Sequence, residues 1–211
     1  MRKLPTLLLL FCAVWLVNCK PKEAKDDASG IKNTYIGTGR YLWQKPEMVL
    51  NLFGDLEQKT VADIGAGEGF FTFRLAEKAK KVIAIDISED ALAYLRKSTP
   101  AKVKDRVEPR LVSPSSPNLK VEEADAVLLV NTYMYLDNRI EYLKKVNQGM
   151  PSNAKILIND FKKKRTALGP NPDIRVPLYR VEQELVQAGF RIVHTDDTSL
   201  EYQYIVLAEK R

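Results

Sequence analysis

The chain has 211 residues, of which 45% are hydrophobic, and a formal net charge of +6. This length and composition suit one well-buried domain and are short for two. Its 33 lysines and arginines are scattered among 27 acids, so the charge excludes a broad nucleic-acid-binding face and leaves one basic run at 162–165.

Residues 1–18 predict a signal peptide of the lipoprotein type. A charged start is followed by an apolar run over 7–17 and then by Asn18 and Cys19, which is the order of a charged region, a hydrophobic region and a processing site. Residues 16–19 resemble the lipobox of bacterial lipoproteins, although Asn18 replaces the small residue that usually precedes the cysteine. We therefore expect lipidation of Cys19 and a membrane-anchored lipoprotein in the cell envelope, on its periplasmic or surface face.

An uncleaved signal anchor and a cytosolic protein with an apolar start are the alternatives for this leader. Both cysteines, Cys12 and Cys19, lie in it, and His194 is the only histidine, so we expect no metal site in the domain. Residues 19–34 have almost no large apolar side chain and predict a flexible tether. The folded domain is expected at 35–211.

From residue 35 onward, short β-rich runs alternate with helical patterns, which is typical of a parallel sheet with helices on both faces. Seven strands are predicted, at 60–64, 81–87, 107–112, 126–131, 155–160, 191–195 and 202–208. Helices are expected from Pro46, at 70–79, after Ser88, at 138–148 and at 178–188. Only residues 196–200 join the last two strands, too few for the crossover of a parallel pair, so the last strand should run antiparallel to its neighbour.

The first predicted strand ends in a glycine-rich turn. Residues 63–69 read D-x-G-x-G-x-G, and glycines at such a turn let the backbone bend sharply and approach a ligand closely. The dinucleotide-binding pattern G-x-G-x-x-G would need a glycine at Phe70, so the spacing argues against NAD or FAD. A plain structural turn is the alternative interpretation.

Polar residues also lie at the ends of the second and fourth predicted strands. Asp86 is placed to accept hydrogen bonds from both hydroxyls of a ribose, with a helix-capping role as the alternative. Ile87 comes next and is expected to pack on an adenine. Asn131 ends the fourth strand and Tyr133 comes shortly after it, at the edge where a donor and an acceptor of a transferred group should meet.

These motifs resemble those of class I S-adenosylmethionine-dependent methyltransferases. Residues 40–46 read R-x-x-W-Q-x-P, which is similar to a bacterial group of methyltransferase-like proteins, many with export signals, and the similarity extends to residue 211. The resemblance implies an α/β fold with a Rossmann-like seven-stranded sheet, its last strand antiparallel, and helices on both faces. It implies S-adenosyl-L-methionine as the cofactor, bound by Asp63, Gly65, Ala66, Gly67, Gly69, Asp86, Ile87 and Asn131. Its substrate side would include Trp43, Gln44 and Tyr133.

The activity implied is methyl transfer to an acceptor that the sequence does not identify, with a small molecule or a lipid favoured. No catalytic base is identified, because Met134 stands where some relatives have a histidine. The alternative is a membrane-tethered, non-catalytic protein that binds an adenosyl ligand or a partner on the same fold. A nucleic-acid methyltransferase would show an Asn-Pro-Pro-Tyr or Pro-Cys motif, and neither occurs.

Overall fold

The computed structural model describes residues 39–211. The predictions for the leader, the tether and Cys19 lie outside the described residues. Within 39–211, every helix is too short or too polar to cross a bilayer. This part of the chain also has no group of three or more histidine, cysteine, aspartate or glutamate side chains arranged to hold a metal ion.

The described residues form a seven-stranded sheet with the order β3-β2-β1-β4-β5-β7-β6. The strands are β1 Thr60–Ile64, β2 Lys81–Asp86, β3 Val107–Leu111, β4 Ala126–Val130, β5 Lys155–Phe161, β6 Phe190–Asp196 and β7 Gln203–Lys210. Strands β1 to β5 pair in parallel, whereas β7 runs antiparallel to both β5 and β6. The predicted seven-stranded sheet with an antiparallel last strand is therefore confirmed.

Six α-helices accompany the strands in the described part of the chain. They are α1 Arg40–Gln44, α2 Pro46–Asn51, α3 Thr72–Lys78, α4 Glu89–Ser98, α5 Arg139–Gln148 and α6 Leu178–Gln187. Ser88 caps α4 as expected, because its side chain accepts a hydrogen bond from the Ala91 N–H at 3.2 Å. Helix α1 was not predicted, since five residues are too few to show helical periodicity.

The central strands of the sheet are buried on both faces. All five residues of β4 are buried, as expected for a central parallel strand. One apolar cluster joins the sheet to α5 and α6 through Leu143, Val181 and Leu185, and another joins it to α2 and α3 through residues such as Leu50 and Leu75. Each such side chain, when fully buried, contributes about 1.5–3 kcal/mol of hydrophobic stabilisation.

Because β1 to β5 are parallel, their carboxyl ends meet at one edge of the sheet, which we call the carboxyl edge. The loops that begin there follow β1 at Gly65, β2 at Ile87 and β4 at Asn131. His194 lies on β6, at the far end of the strand order, and is exposed. Asp63, Asp86 and Asn131, the polar residues that the sequence predicted for the site, therefore all lie at this carboxyl edge.

Candidate cofactor site

The glycine-rich turn is tied to the neighbouring strand and is open at its tip. The N–H groups of Gly65 and Ala66 both donate to the Ile85 carbonyl oxygen, at 2.8 and 3.0 Å. Gly65 and Gly67 have φ values of +79° and +54°, in the left-handed region that favours glycine. A Cβ at Gly67 would meet no atom within 4 Å, so a ligand can approach the backbone closely there.

Asp86 at the end of β2 has a fixed carboxylate. Its Oδ2 accepts from the Gly67 N–H at 2.7 Å, and its Oδ1 accepts from the Ser88 N–H at 2.9 Å. Each carboxylate oxygen has two lone pairs, so one remains on each oxygen for a ligand hydroxyl. The Ile87 side chain is 55% exposed and presents an apolar surface next to this carboxylate.

Asp63 lies beneath the turn, on the interior side. Its side chain is buried, and its Oδ2 accepts from the Thr72 hydroxyl at 2.6 Å, which links β1 to the first residue of α3. Burial raises the pKa of Asp63 to about 6, and the charge of Asp86 raises it further, whereas the Thr72 hydrogen bond and Arg40 lower it. Asp63 therefore holds the start of α3, the helix that follows the turn, against the end of β1.

Arg40 on α1 lies close to this region. Its guanidinium carbon is 4.1 Å from the centre of the Phe70 ring, and its Nε donates to Gln44 Oε1 at 2.6 Å. Burial lowers the pKa of Arg40 to about 10, while the charge of Asp63 acts in the opposite direction. The lead-in segment is thus packed against the residue that follows the glycine-rich turn.

Three amide side chains meet at the carboxyl edge beyond the turn. Gln44 Nε2 donates to Gln203 Oε1 at 3.0 Å and lies 3.5 Å from Asn131 Oδ1, while Gln203 Nε2 donates to the same Asn131 oxygen at 2.5 Å. Gln44 and Gln203 are fully buried, and Asn131 has a left-handed φ of +57°. Gln203 was missed from the sequence, since nothing local marks a glutamine that begins the last strand as a site residue.

Tyr133 does not lie on the substrate side as expected. Its ring is fully buried, and its hydroxyl donates to Glu184 Oε2, which also accepts from Arg139. Burial, together with the bond to Glu184, raises the pKa of Tyr133. The residue turns into the core because it belongs to a short 3-10 helix over Tyr133–Tyr135 that packs against β5.

Trp43 packs against other aromatic side chains. Its ring centre is 5.8 Å from that of Phe161 and 6.1 Å from that of Tyr202, so it joins α1 to the end of β5 and the β6–β7 connection. Of the three residues predicted for the substrate side, Gln44 contacts Asn131, Trp43 forms this aromatic contact, and Tyr133 lies in the core.

The basic run after β5 is held by a buried arginine. Arg175 is 2% exposed, and its guanidinium donates to backbone oxygens of Lys162, Lys164 and Pro170 and packs over the Phe161 ring. Next to it is a groove of about 690 Å³. Its charged lining residues are Arg139, Lys163, Asp173, Arg175 and Arg180.

Comparisons with known proteins agree with this architecture. Residues 61–150 match a family model described as a methyltransferase domain. The chain is 27% identical to a SAM-dependent methyltransferase from Aquifex aeolicus, whose crystal structure superposes with a TM-score of 0.78 over 87% of this chain and 98% of that one. A [4+2]-cyclase shares the fold at 13% identity, with a TM-score of 0.71 over 79% of this chain and 80% of that one.

The chain also matches part of a longer protein. The chain is 31% identical over 111 residues to ribosomal RNA small subunit methyltransferase A of Koribacter versatilis, a match that covers 53% of this chain and 34% of the relative. The chain therefore spans about a third of that protein. The sheet order, the antiparallel last strand and the Aquifex structure together identify the class I methyltransferase fold.

Proposed function

We propose that this chain is an S-adenosylmethionine-dependent methyltransferase that acts on a small molecule or a lipid. The fold, the family match over 61–150 and the similarity to the Aquifex enzyme support methyltransferase activity. The observation that carries the proposal is the Asp86 carboxylate, which the N–H groups of Gly67 and Ser88 hold beside the open tip of the glycine-rich turn.

S-adenosyl-L-methionine is the expected cofactor, and the residues present fit its parts. The free lone pairs of Asp86 suit the two ribose hydroxyls, and the exposed Ile87 suits an adenine ring. The open backbone at Gly67 suits the close approach of a ligand. When bound, this cofactor supplies a methyl group on a positively charged sulfur, which is already reactive toward an electron pair.

The chain's own task is then to hold the acceptor in position. A well-aligned acceptor about 3–3.5 Å from the reacting carbon removes much of the entropic barrier. We assign Arg40 and Asn131 to the acceptor side, and the buried Gln44 links these two side chains by hydrogen bonds. The residue at 134 is a buried methionine, so the proposed mechanism relies on alignment by these side chains and assigns no general base.

The proposal includes the class of the acceptor and the location of the domain. The name of the Koribacter relative refers to ribosomal RNA, but Asn131, Thr132 and Tyr133 do not form the Asn-Pro-Pro-Tyr sequence typical of base-modifying enzymes. We therefore favour a small molecule or a lipid over a nucleic acid. Attachment to a membrane through Cys19 would place the domain near lipids.

Calorimetry of the full chain with S-adenosylhomocysteine tests the cofactor site. We expect Asp86→Asn to weaken binding by about tenfold or more, because charged hydrogen bonds to the ribose contribute about 1.5–3 kcal/mol each. Asp90→Asn, the same change at an exposed residue on α4, is the matched control and should bind like the wild type. Equal loss in both variants, or no binding by the wild type, would refute the assignment.

Methyl transfer is tested separately with cofactor carrying a labelled methyl group and with fractionated lipids, small metabolites and RNA. We expect the labelled methyl group in the lipid or metabolite fraction. Labelled RNA would instead show that the acceptor is a nucleic acid and that the proposed acceptor class is wrong. Cofactor binding without transfer to any fraction would favour the alternative, a tethered protein that binds an adenosyl ligand or a partner. For the anchor, Cys19→Ala should abolish incorporation of labelled fatty acid.

A further inference from the structure

We infer that the groove bordered by the first residues of α5 and α6 binds a phosphomonoester, the phosphate group of a larger organic molecule. Three parts of the chain line it: Arg139 begins α5, Lys163 follows β5, and Tyr179 and Arg180 lie in the first turn of α6. Its volume of about 690 Å³ is within the range of small-molecule sites. The inference goes beyond the proposed function and does not depend on it.

The groove is separate from the candidate cofactor site. None of the described residues that line it belongs to the loops after β1 and β2, which hold the glycine-rich turn and follow Asp86. Phe161, at the end of β5, contacts both regions: its ring centre is 5.8 Å from that of Trp43 and 5.2 Å from the guanidinium carbon of Arg175. A ligand in the groove would therefore be bound by a different set of side chains from the cofactor.

Glu184 holds Arg139 in a fixed orientation at one side of the groove. Arg139 Nε donates to Glu184 Oε2 at 2.8 Å, and Arg139 Nη2 donates to Glu184 Oε1 at 2.9 Å. The Glu184 carboxylate also accepts from the Tyr133 hydroxyl and is only 7% exposed. Among the described residues, Arg139 Nη1 has no hydrogen-bond partner. The guanidinium is therefore oriented in advance and keeps N–H donors for a ligand.

Lys163 and Arg180 supply two further cations. Within residues 39–211, neither has a carboxylate at ion-pair distance. Arg175 donates to the backbone oxygens on both sides of Lys163, which fixes the chain there. Lys163 Nζ uses one donor on the Asp173 carbonyl oxygen, at 3.3 Å, and an ammonium has three donors. Both cations are therefore available to an anion.

The charges of the groove favour a doubly charged ligand. Among its described lining residues, Asp173 is the only acid, and Glu184 already neutralises Arg139. A phosphomonoester carries about 1.5–2 negative charges at pH 7 and three strong acceptor oxygens. It can thus accept from Arg139, Lys163 and Arg180 together. A carboxylate carries one charge on two oxygens and would satisfy fewer of these donors.

Apolar side chains provide a place for the rest of the ligand. Tyr179 is 58% exposed and Ile174 is 44% exposed, and both line the groove. Exposed aromatic and aliphatic surface beside charged donors suits an anion attached to an apolar body. The phosphate headgroup of a lipid and a soluble phosphate ester share this chemistry.

Calorimetry of the full chain without any nucleoside tests the groove with three anions, namely phenyl phosphate, benzenesulfonate and inorganic phosphate. Benzenesulfonate has the same ring and three oxygens but a single negative charge. We expect phenyl phosphate to bind about fivefold more tightly than benzenesulfonate at about pH 8, where the phosphate ester is a dianion. It should bind about threefold more tightly than inorganic phosphate, because its ring contacts Tyr179.

Substitutions of opposite sign separate this site from general attraction to a basic protein. Arg180→Gln should weaken binding of phenyl phosphate about fivefold, and Asp173→Asn should tighten it about twofold. Arg191→Gln, at an exposed position on β6, and Asp90→Asn, at an exposed position on α4, are the matched controls and should bind like the wild type. Tyr179→Ala should remove the advantage of phenyl phosphate over inorganic phosphate.

Thermal unfolding of each variant separates a local effect from loss of the fold. The substituted side chains are exposed, whereas Arg139 stays in place because its loss would leave Glu184 buried without its ion pair. Equal affinity of the wild type for the three anions overturns the inference, as do folded Arg180→Gln and Asp173→Asn variants that match their controls. Displacement of phenyl phosphate by S-adenosylhomocysteine would place the anion in the cofactor site and also overturn it.

Two soluble esters identify the source of the phosphate. Dihexanoyl phosphatidic acid carries two short acyl chains, and glycerol 3-phosphate carries none. Tighter binding of the first by about tenfold, with the difference reduced in Tyr179→Ala, would assign the groove to a lipid headgroup. Equal binding of the two would assign it to a soluble phosphate ester. Binding of neither overturns the inference.

Discussion

Gly65, in the turn after β1, lies directly against Thr132, the second residue after β4. A Cβ built on Gly65 would be 2.0 Å from Thr132 Oγ1, and the threonine is held in place by its own hydrogen bond to the Val130 carbonyl at 3.0 Å. This contact joins the proposed cofactor loop to the strand end that carries Asn131. Packing therefore requires glycine at position 65 in addition to the φ of +79°.

We expect Gly65→Ala to lower the free energy of unfolding by about 2–4 kcal/mol, because overpacking adds to left-handed strain. Gly67→Ala is the comparison, since position 67 has the same kind of φ but no atom within 4 Å, and it should cost about 1 kcal/mol. Urea denaturation of both variants measures the difference. Equal losses would mean that the contact with Thr132 contributes nothing.

Asp63 makes stability depend on pH. Its pKa is about 6 in the folded protein against 3.8 ordinarily, so between these values the folded state binds more protons than the unfolded chain. The free energy of unfolding should then fall as pH rises from about 4 to about 6, by about 3 kcal/mol at most from this group. Asp63→Asn should remove that part of the slope in urea denaturation curves measured across this range.

A second buried acid provides the internal control for that experiment. Burial raises the pKa of Asp160 to about 7, so its contribution should persist in the Asp63→Asn variant and extend to higher pH. Parallel pH profiles for the wild type and the variant would contradict the assignment to Asp63.

Tyr133→Phe removes the hydroxyl that donates to Glu184 in the core. Glu184 keeps its two hydrogen bonds to Arg139, at 2.8 and 2.9 Å, so we expect a loss of about 1–2 kcal/mol of stability. Affinity for S-adenosylhomocysteine should stay the same, because the ring lies in the core. Urea denaturation measures the change in stability, and calorimetry measures the affinity for S-adenosylhomocysteine. A large loss of affinity without a loss of stability would show that Tyr133 belongs to the binding site.

Arg175→Lys should loosen the loop that carries the basic run. Lysine has three donors on a single nitrogen, whereas the arginine spreads its bonds over the oxygens of Lys162, Lys164 and Pro170. We expect trypsin to cleave at 162–165 about tenfold faster, because the free energy of local opening of this loop should fall by about 1.4 kcal/mol. Arg180→Lys, at an exposed position on α6, should leave the cleavage rate unchanged.

Much of the fold could be predicted because its signals are local. Strands buried on both faces need continuous apolar runs, and the run that became β4, Ala126–Val130, is a clear example. The short link before β7 likewise predicted its antiparallel direction. The place of β7 between β5 and β6 could not be predicted, since strand order depends on which edge the returning chain covers.

Some residues of the candidate site could likewise be predicted from the sequence, and others could not. Gly67 and Asp86 could be identified because the turn and the strand end that hold them are continuous in sequence. The link between Asn131 and Gln203 could not, because 72 positions separate them and a glutamine at the start of a strand looks like any polar boundary residue. The inward turn of Tyr133 also depended on a distant partner, Glu184 on α6.

The sequence by itself thus determined the alternation of strands and helices, the glycine-rich turn and the carboxylate at Asp86. These follow from hydrophobic periodicity and from the conformational freedom of glycine, which act over a few residues. Only the tertiary structure decided that Gly65 must fit against Thr132, that Asp63 is buried under the turn, and that Arg40 orients Gln44, Gln203 and Asn131. Packing and hydrogen-bond direction depend on which distant groups share a space, and that is settled when the sheet assembles.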